Sequence, residues 1–284
     1  MNKCYFLCGW LFVIVVFNSC TKSNIIDASS PTKCKIKSIK ATNLDNNTYN
    51  TITFEYYNDG RLKTQTTSSF NSNNIETFNH TETGTYDDNR RSINTTYVGK
   101  INTDISSGSK TIFLDDNGNA KSLSTIDKVS SDPLPAYDTI IFSYNSNHYL
   151  IKESSPDGTD RSEYEYFNGN RISSTDVVIN QNGITEIIGG ETYEYTDKPD
   201  YGELYYYALG TFSFKKGIRN SLLVQKIHSY IDSPLFPFNY DFNQINTYES
   251  FNDLKYPTRI TYTRTGNVPF GLRNGSIIID YYCN

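Results

Sequence analysis

The sequence predicts an all-β chain: a single large antiparallel meander of β-hairpins, closed or strongly curled into a barrel-like sheet, and soluble rather than membrane-embedded. Three observations carry the fold class. Apolar and aromatic residues alternate with polar ones at period 2, Asn/Asp/Gly clusters separate the alternating runs, and no convincing amphipathic helix interrupts them. The stretch Thr51 to Thr67, TITFEYYNDGRLKTQTT, shows all of this at once. Ile52, Phe54 and Tyr56 fall on one side of the period, and Thr51, Thr53 and Glu55 on the other. Asn58, Asp59 and Gly60 supply residues that tolerate positive φ, as a two- or three-residue hairpin loop requires.

The same unit recurs along the chain. Tyr86 leads into Asp87, Asp88 and Asn89; Ile112 to Leu114 lead into DDNGNAKSL; Ile140, Phe142 and Tyr144 lead into Asn145, Ser146 and Asn147. Tyr164 and Tyr166 precede FNGNRIS, Tyr193 and Tyr195 precede Thr196 to Lys198, and Tyr248 precedes a diverged turn at Asn252 and Asp253. The copies are irregularly spaced, roughly 20 to 50 residues apart, which suits a meander better than a solenoid. The turn signals imply about 14 to 18 strands. The pattern is weakest over Tyr201 to Phe242, where a longer loop, a bulge or a short helix is expected.

Residues 1–19 read as a lipoprotein signal peptide. Lys3 gives a positive start, and the apolar run Tyr5 to Phe17 is shorter than the roughly 20 residues of a membrane-spanning helix. Cys20 follows a small residue as in a lipobox, where the thiol carries a diacylglycerol; Phe17 and Asn18 depart from that pattern. An ordinary secretory signal or an uncleaved anchor is the alternative. Residues 20–33 then form the lipidated Cys and a flexible tether ending in Ser-Ser-Pro-Thr-Lys, and residues 34–284 form one antiparallel β domain. The Pro-bearing segment Ser130 to Ala136 reads as a loop, because the hairpin pattern resumes unchanged after it.

The chain has five Cys. Cys4 and Cys8 leave with the leader and Cys20 is acylated, so Cys34 and Cys283 remain. Two leftover thiols in an exported chain suggest one disulfide joining the first strand to the last, the alternative being two unpaired buried thiols. A sheet closed between those strands also removes the exposed edges of an open meander. A membrane barrel is the rival architecture. Against it stand the lack of a clear outward apolar band and the anchor already provided by the acylated N-terminus.

The run FEYYNDGRL, with echoes at FSYNSNHYL and YEYFNGNRI, resembles the tyrosine-aspartate repeats of RHS-type proteins. The whole layout more closely resembles the Bacteroidetes-type lipoproteins of unknown function with a porin-like β fold: lipobox, short tether, early Cys-x-Ile strand, F-x-Y-x-x-D-G-R-L hairpins and a terminal Tyr-Tyr-Cys. The resemblance implies a large antiparallel sheet or barrel on an outer-membrane lipoprotein, and it implies no activity. Members exposed at the cell surface often carry acidic residues after the lipidated Cys. Here Thr21, Lys22, Ser23 and Asn24 follow it, so the periplasmic and surface faces both stay open.

Signals for chemistry are few. Nucleophile-elbow, zinc-protease, phosphate-loop and dinucleotide motifs are all missing, so no enzyme and no cofactor is expected. His80, His148 and His228 stand far apart, and His148 occupies a turn position suited to Asn or Gly. Glu163, Glu165, Glu191 and Glu194 read as solvent-facing partners of aromatics rather than a hydrolytic pair. Asp115, Asn117 and Asn119 resemble part of a calcium loop, but Gly118 is misplaced and no Glu closes the loop, so a turn is expected and no metal. A net charge of -5 argues against nucleic acid. The excess of aromatics, 24 Tyr and 16 Phe, points to a core of Tyr, Phe, Ile and Val. Three consecutive tyrosines on a strand cannot all face that core, so Tyr205, Tyr206 and Tyr207, with Tyr201, Phe236, Phe238 and Tyr240, are the candidate residues for stacking on a glycan or small ligand. The expected partners are the lipid bilayer through the acyl anchor and an envelope protein or a glycan. The expected role is a non-enzymatic structural or protein-interaction module of the cell envelope, with a glycan- or small-ligand-binding module around residues 201–240 as the alternative.

Overall fold

Sixteen antiparallel strands close into one barrel in the computed structural model, which describes residues 34–87, 92–101, 104–129, 136–200, 222–233, 239–269 and 272–283. The order around the wall follows the chain. β1 (Lys35–Asn43), β2 (Tyr49–Tyr56), β3 (Leu62–Phe70), β4 (Glu76–Tyr86), β5 (Ser92–Ile101), β6 (Asp104–Leu114), β7 (Ala120–Val129) and β8 (Ala136–Tyr144) make the first half. β9 (Leu150–Ser154), β10 (Asp160–Phe167), β11 (Asn170–Ile179), β12 (Thr185–Pro199), β13 (Leu222–Ile231), β14 (Tyr240–Phe251), β15 (Pro257–Asn267) and β16 (Asn274–Tyr282) make the second. The seam is β1 against β16, held by eight register pairs from Lys35↔Tyr282 to Asn43↔Gly275. A Cys34–Cys283 disulfide lies across the start of that seam. The expected linkage of first and last strands, and a strand number inside the expected range, are both present.

The hairpins turn for a reason readable in their residues. At Asn71, Asp115, Asn145, Asn180 and Asn252 the side-chain Oδ1 accepts the backbone N–H groups two and four residues on, at 2.8–3.1 Å. The residue three positions on then takes positive φ: Asn74, Gly118, His148, Gly183 and Lys255. The side chain thus satisfies two donors that the tight loop would leave open. In the loop after β2, Tyr57 N–H donates to the Arg61 carbonyl and only Gly60 takes positive φ. Lys255 does so at φ 68° while carrying a Cβ, which favours glycine there. Lys255→Gly is therefore expected to stabilise the protein by about 0.5–1 kcal/mol, read as a rise in the urea midpoint.

Register assigns the two faces of the wall. Phe54, in line with Gln65, points inward and is 2% exposed. Inward residues near the disulfide-bearing end form two apolar clusters. One joins Ile36, Ile39, Phe54, Leu223, Ile260 and Ile279, and the other joins Ile93, Ile112, Ala120, Phe142 and Leu150. Tyr56, Tyr248 and Tyr281 pack their rings on the first cluster and donate their hydroxyls to backbone carbonyls of Ile36, Val224 and Pro257. Outward stand Thr51, Thr53 and Glu55 of β2, Thr64 and Thr66 of β3, Thr81 and Thr83 of β4, and Thr261, Thr263 and Thr265 of β15. Cross-strand bonds such as Asn79 to Ser68 and Thr66 with Thr81 lace these rows together. Val98, Ile245 and Ile278 also face outward, opposite Thr81 and Ser107, Lys226 and Thr263, and Lys40 and Arg259 respectively. Phe113, Ile126, Ile141 and Ile187 are exposed on the wall as well, Ile126 between Ser109 and Tyr137 and Ile187 opposite Val177.

Two inward tyrosines lie flat on the wall because the residue opposite is glycine. Tyr97 pairs with Gly108 and Tyr262 with Gly275, and a Cβ on either glycine would overlap the ring. At Gly108 a Cβ would also overlap the backbone oxygen of Ile126, which cannot swing aside as a side chain can. Gly108→Ala is expected to cost about 2–3 kcal/mol and Gly275→Ala less, compared by chemical denaturation.

Candidate functional site

The lumen is where charged and aromatic side chains meet. On β4, Glu82 points inward at 2% exposure, in line with Gln65 of β3 and Tyr97 of β5. Thr95 Oγ1 donates to its Oε1 at 2.5 Å, and Lys110 Nζ of β6 donates to its Oε2 at 3.3 Å. His80 Nε2 stands 4.0 Å from the same oxygen, and the His80 ring lies 5.0 Å from that of Tyr97. Burial pushes the Glu82 carboxyl pKa upward, but the bonds from His80, Lys110 and Thr95 outweigh it and leave the group below the ordinary glutamate value.

Two further cationic groups follow the same plan. Arg171 of β11 is 4% exposed, places its guanidinium over the rings of Tyr164 and Tyr193, and donates to the Tyr193 hydroxyl. Glu191 of β12 lies 3.9 Å from its Nη2 and accepts from the same hydroxyl. Arg264 of β15 sits over Phe242 and Tyr262 and donates to Gln244 Oε1 at 2.8 Å. Lys110 likewise lies over Tyr97. Each cation thus lies over the face of an inward aromatic ring.

The inner wall from β7 to β11 is acidic toward the end away from the disulfide. A cavity of about 430 Å³ there is lined by Asp138, Glu153, Asp160 and Asp176, with Ile140, Val178 and Ile231 as its apolar surface. Tyr164 Oη donates to Glu153 at 3.0 Å and Ser162 Oγ to Asp176 at 2.6 Å. Burial, then the neighbouring Asp138 carboxylate, raises the pKa of Asp127 on β7. Among the described residues no three His, Cys, Asp or Glu side chains are placed to hold a metal ion. Asp115 builds its turn, accepting from the backbone of Asn117 and Asn119 and from the Asn119 side chain.

Of the residues singled out from sequence, Cys34 and Cys283 are joined. Tyr240 points into the lumen beside Phe242, their ring centroids 5.5 Å apart. Cys20, Tyr201, Tyr205, Tyr206, Tyr207, Phe236 and Phe238 lie outside the described residues. Glu163 and Glu194 face outward on Arg161 and Lys226, and Glu165 accepts from Ser173. Glu191 departs from the solvent-facing reading of these glutamates: register puts it inward with Tyr193, because both fall on the lumen side of β12. Sequence reasoning missed Glu82, Lys110, Arg171 and Arg264. Single charges in alternating strands carry no local sign of which face is the lumen.

No family model matches the chain, and no curated protein matches it. Among solved structures, a porin-like protein from Bacteroides uniformis superposes with a TM-score of 0.52 at 16% identity, covering 89% of this chain and 99% of that one. A porin-like protein from Bacteroides vulgatus gives a TM-score of 0.42 at 13% identity, over 88% and 99% of the two chains. The first likeness is one of fold: the chain adopts a porin-like closed antiparallel barrel.

Proposed function

We propose that this chain is a lipid-anchored, non-enzymatic interaction module of the cell envelope, whose barrel stands in water rather than in the bilayer. The arrangement of the wall carries the reading. A membrane-spanning barrel turns apolar side chains to lipid and polar ones to its lumen, and each outward charge near the midplane costs several kcal/mol. Here Phe54, Ile93, Leu223 and Ile260 turn inward, while rows of threonine and serine turn outward together with Lys40, Glu55 and Arg259. Cys20 and its tether are the proposed means of attachment. The porin-like fold of a Bacteroides protein is consistent with an envelope setting.

Metabolic labelling with a radioactive fatty acid tests the anchor. Incorporation into the full chain that disappears in Cys20→Ser is the expected result, and equal labelling of both would refute it. Glycan binding over residues 201–240 is the second reading, and six of the seven residues it invokes lie outside the described residues. Affinity electrophoresis with a Tyr205→Ala/Tyr206→Ala/Tyr207→Ala variant decides between the readings, retardation lost in the variant being the outcome that would favour it.

A further inference from the structure

The wall is not level. β8 pairs with β7 along Ala136–Ile141, but its pairing with β9 stops at Ile141↔Ser154. The chain then turns at Ser155, where Gly158 N–H donates to the Ser155 carbonyl and Ser155 N–H to the Asp160 carbonyl, and β10 begins at Asp160. Residues 136–140 of β8 are therefore hydrogen-bonded to a neighbouring strand on one side only among the described residues. In an antiparallel strand every second residue points its N–H and C=O to the open side. Such an edge is a template for an added strand.

The acidic cavity opens next to this edge, lined in part by Asp138, Ile140, Asp160 and Asp176. Asp138, Asp160 and Asp176 take part in no salt bridge among the described residues; Arg161, the one cation among the lining residues, is engaged by Glu163 at 2.7 Å, which leaves the carboxylates of the lining in excess. An added strand presents alternate side chains to one face. Basic residues on that face would meet the carboxylates, while acidic ones would be repelled.

We propose that the open edge of β8 accepts, as an added strand, an extended peptide with Lys or Arg at every second position. Backbone pairing sets the position of the peptide, and the carboxylates of Asp138, Asp160 and Asp176 select its charge. This deepens the interaction reading by naming a partner class. It does not depend on acylation of Cys20, so failure here leaves the anchor and the polar outer wall standing.

The test uses the full chain purified in mild detergent and a fluorescein-labelled hexapeptide of alternating lysine and valine. Anisotropy should show salt-sensitive binding, weakened at least about tenfold in Asp138→Asn/Asp176→Asn, whose circular dichroism should match the parent. An alternating glutamate and valine peptide should not bind. The lysine peptide should also slow hydrogen exchange of the 136–140 amides at least about tenfold. Undetectable binding overturns the proposal, as does unchanged exchange over 136–140. A fully N-methylated lysine peptide that binds within about twofold of the parent overturns it too, because charge without strand pairing would then suffice.

Discussion

Replacing both Cys34 and Cys283 with serine lowers the stability of the barrel by on the order of 5 kcal/mol. The bond joins residues 249 positions apart, so its loss frees nearly the whole domain in the unfolded state. It does not abolish closure, because the β1–β16 seam keeps its eight register pairs and the packing of Ile36, Ile39 and Ile279. The expected signature is a lower urea midpoint with far-UV circular dichroism unchanged in the absence of denaturant. A midpoint unaltered by reduction would show that the bond constrains nothing the seam does not already fix.

Glu82→Gln is expected to lower stability by about 2–3 kcal/mol at pH 7, as much as Gly108→Ala. The substitution leaves Lys110 facing the lumen without its carboxylate and weakens the charge-assisted bond from Thr95. Lys110 keeps some contact with solvent, which holds the cost near the lower end for a broken buried pair. The sign with pH follows from the direction of the shift. Burial raises the Glu82 pKa and the bonds from His80, Lys110 and Thr95 lower it by more, so the folded pKa lies below the unfolded one. The stabilisation is therefore fully present above the ordinary glutamate value and is lost as pH falls through the depressed folded value. Parent and Glu82→Gln should converge in acid. A double-mutant cycle with Lys110→Met should return a coupling of about 1–3 kcal/mol, and a value near zero would mean that Glu82 is held by Thr95 and His80 without Lys110.

Much of this architecture is written locally. Alternation in TITFEYY set Ile52, Phe54 and Tyr56 on one face, and the packing keeps them together. The Asx residue that opens a turn and the glycine or asparagine three positions on, as in Asp115 and Gly118, name the hairpins, and His148 follows the same geometry without the usual residue type. The lumen was legible only where it is apolar. Glu82 sits in Thr-Glu-Thr-Gly, where nothing nearby marks its face, and it becomes an inward residue only through register with Gln65 and Tyr97 on neighbouring strands. Arg171 meets Tyr193 because β11 and β12 are adjacent, and the long-range register that aligns them is not a local property of the sequence. β13 was hidden for a related reason: LLVQKIHSYI lies in a stretch whose extra aromatics and prolines suggested a loop.

The outer wall, we propose, is made for water. The most direct test is to produce residues 32–284 without leader or acyl chain and ask, by sedimentation velocity in buffer without detergent, whether the fragment is a soluble folded particle. The expected result is a monodisperse species with β-type circular dichroism and an intact Cys34–Cys283 bond. A fragment that folds only in detergent or lipid, and aggregates without them, would contradict it.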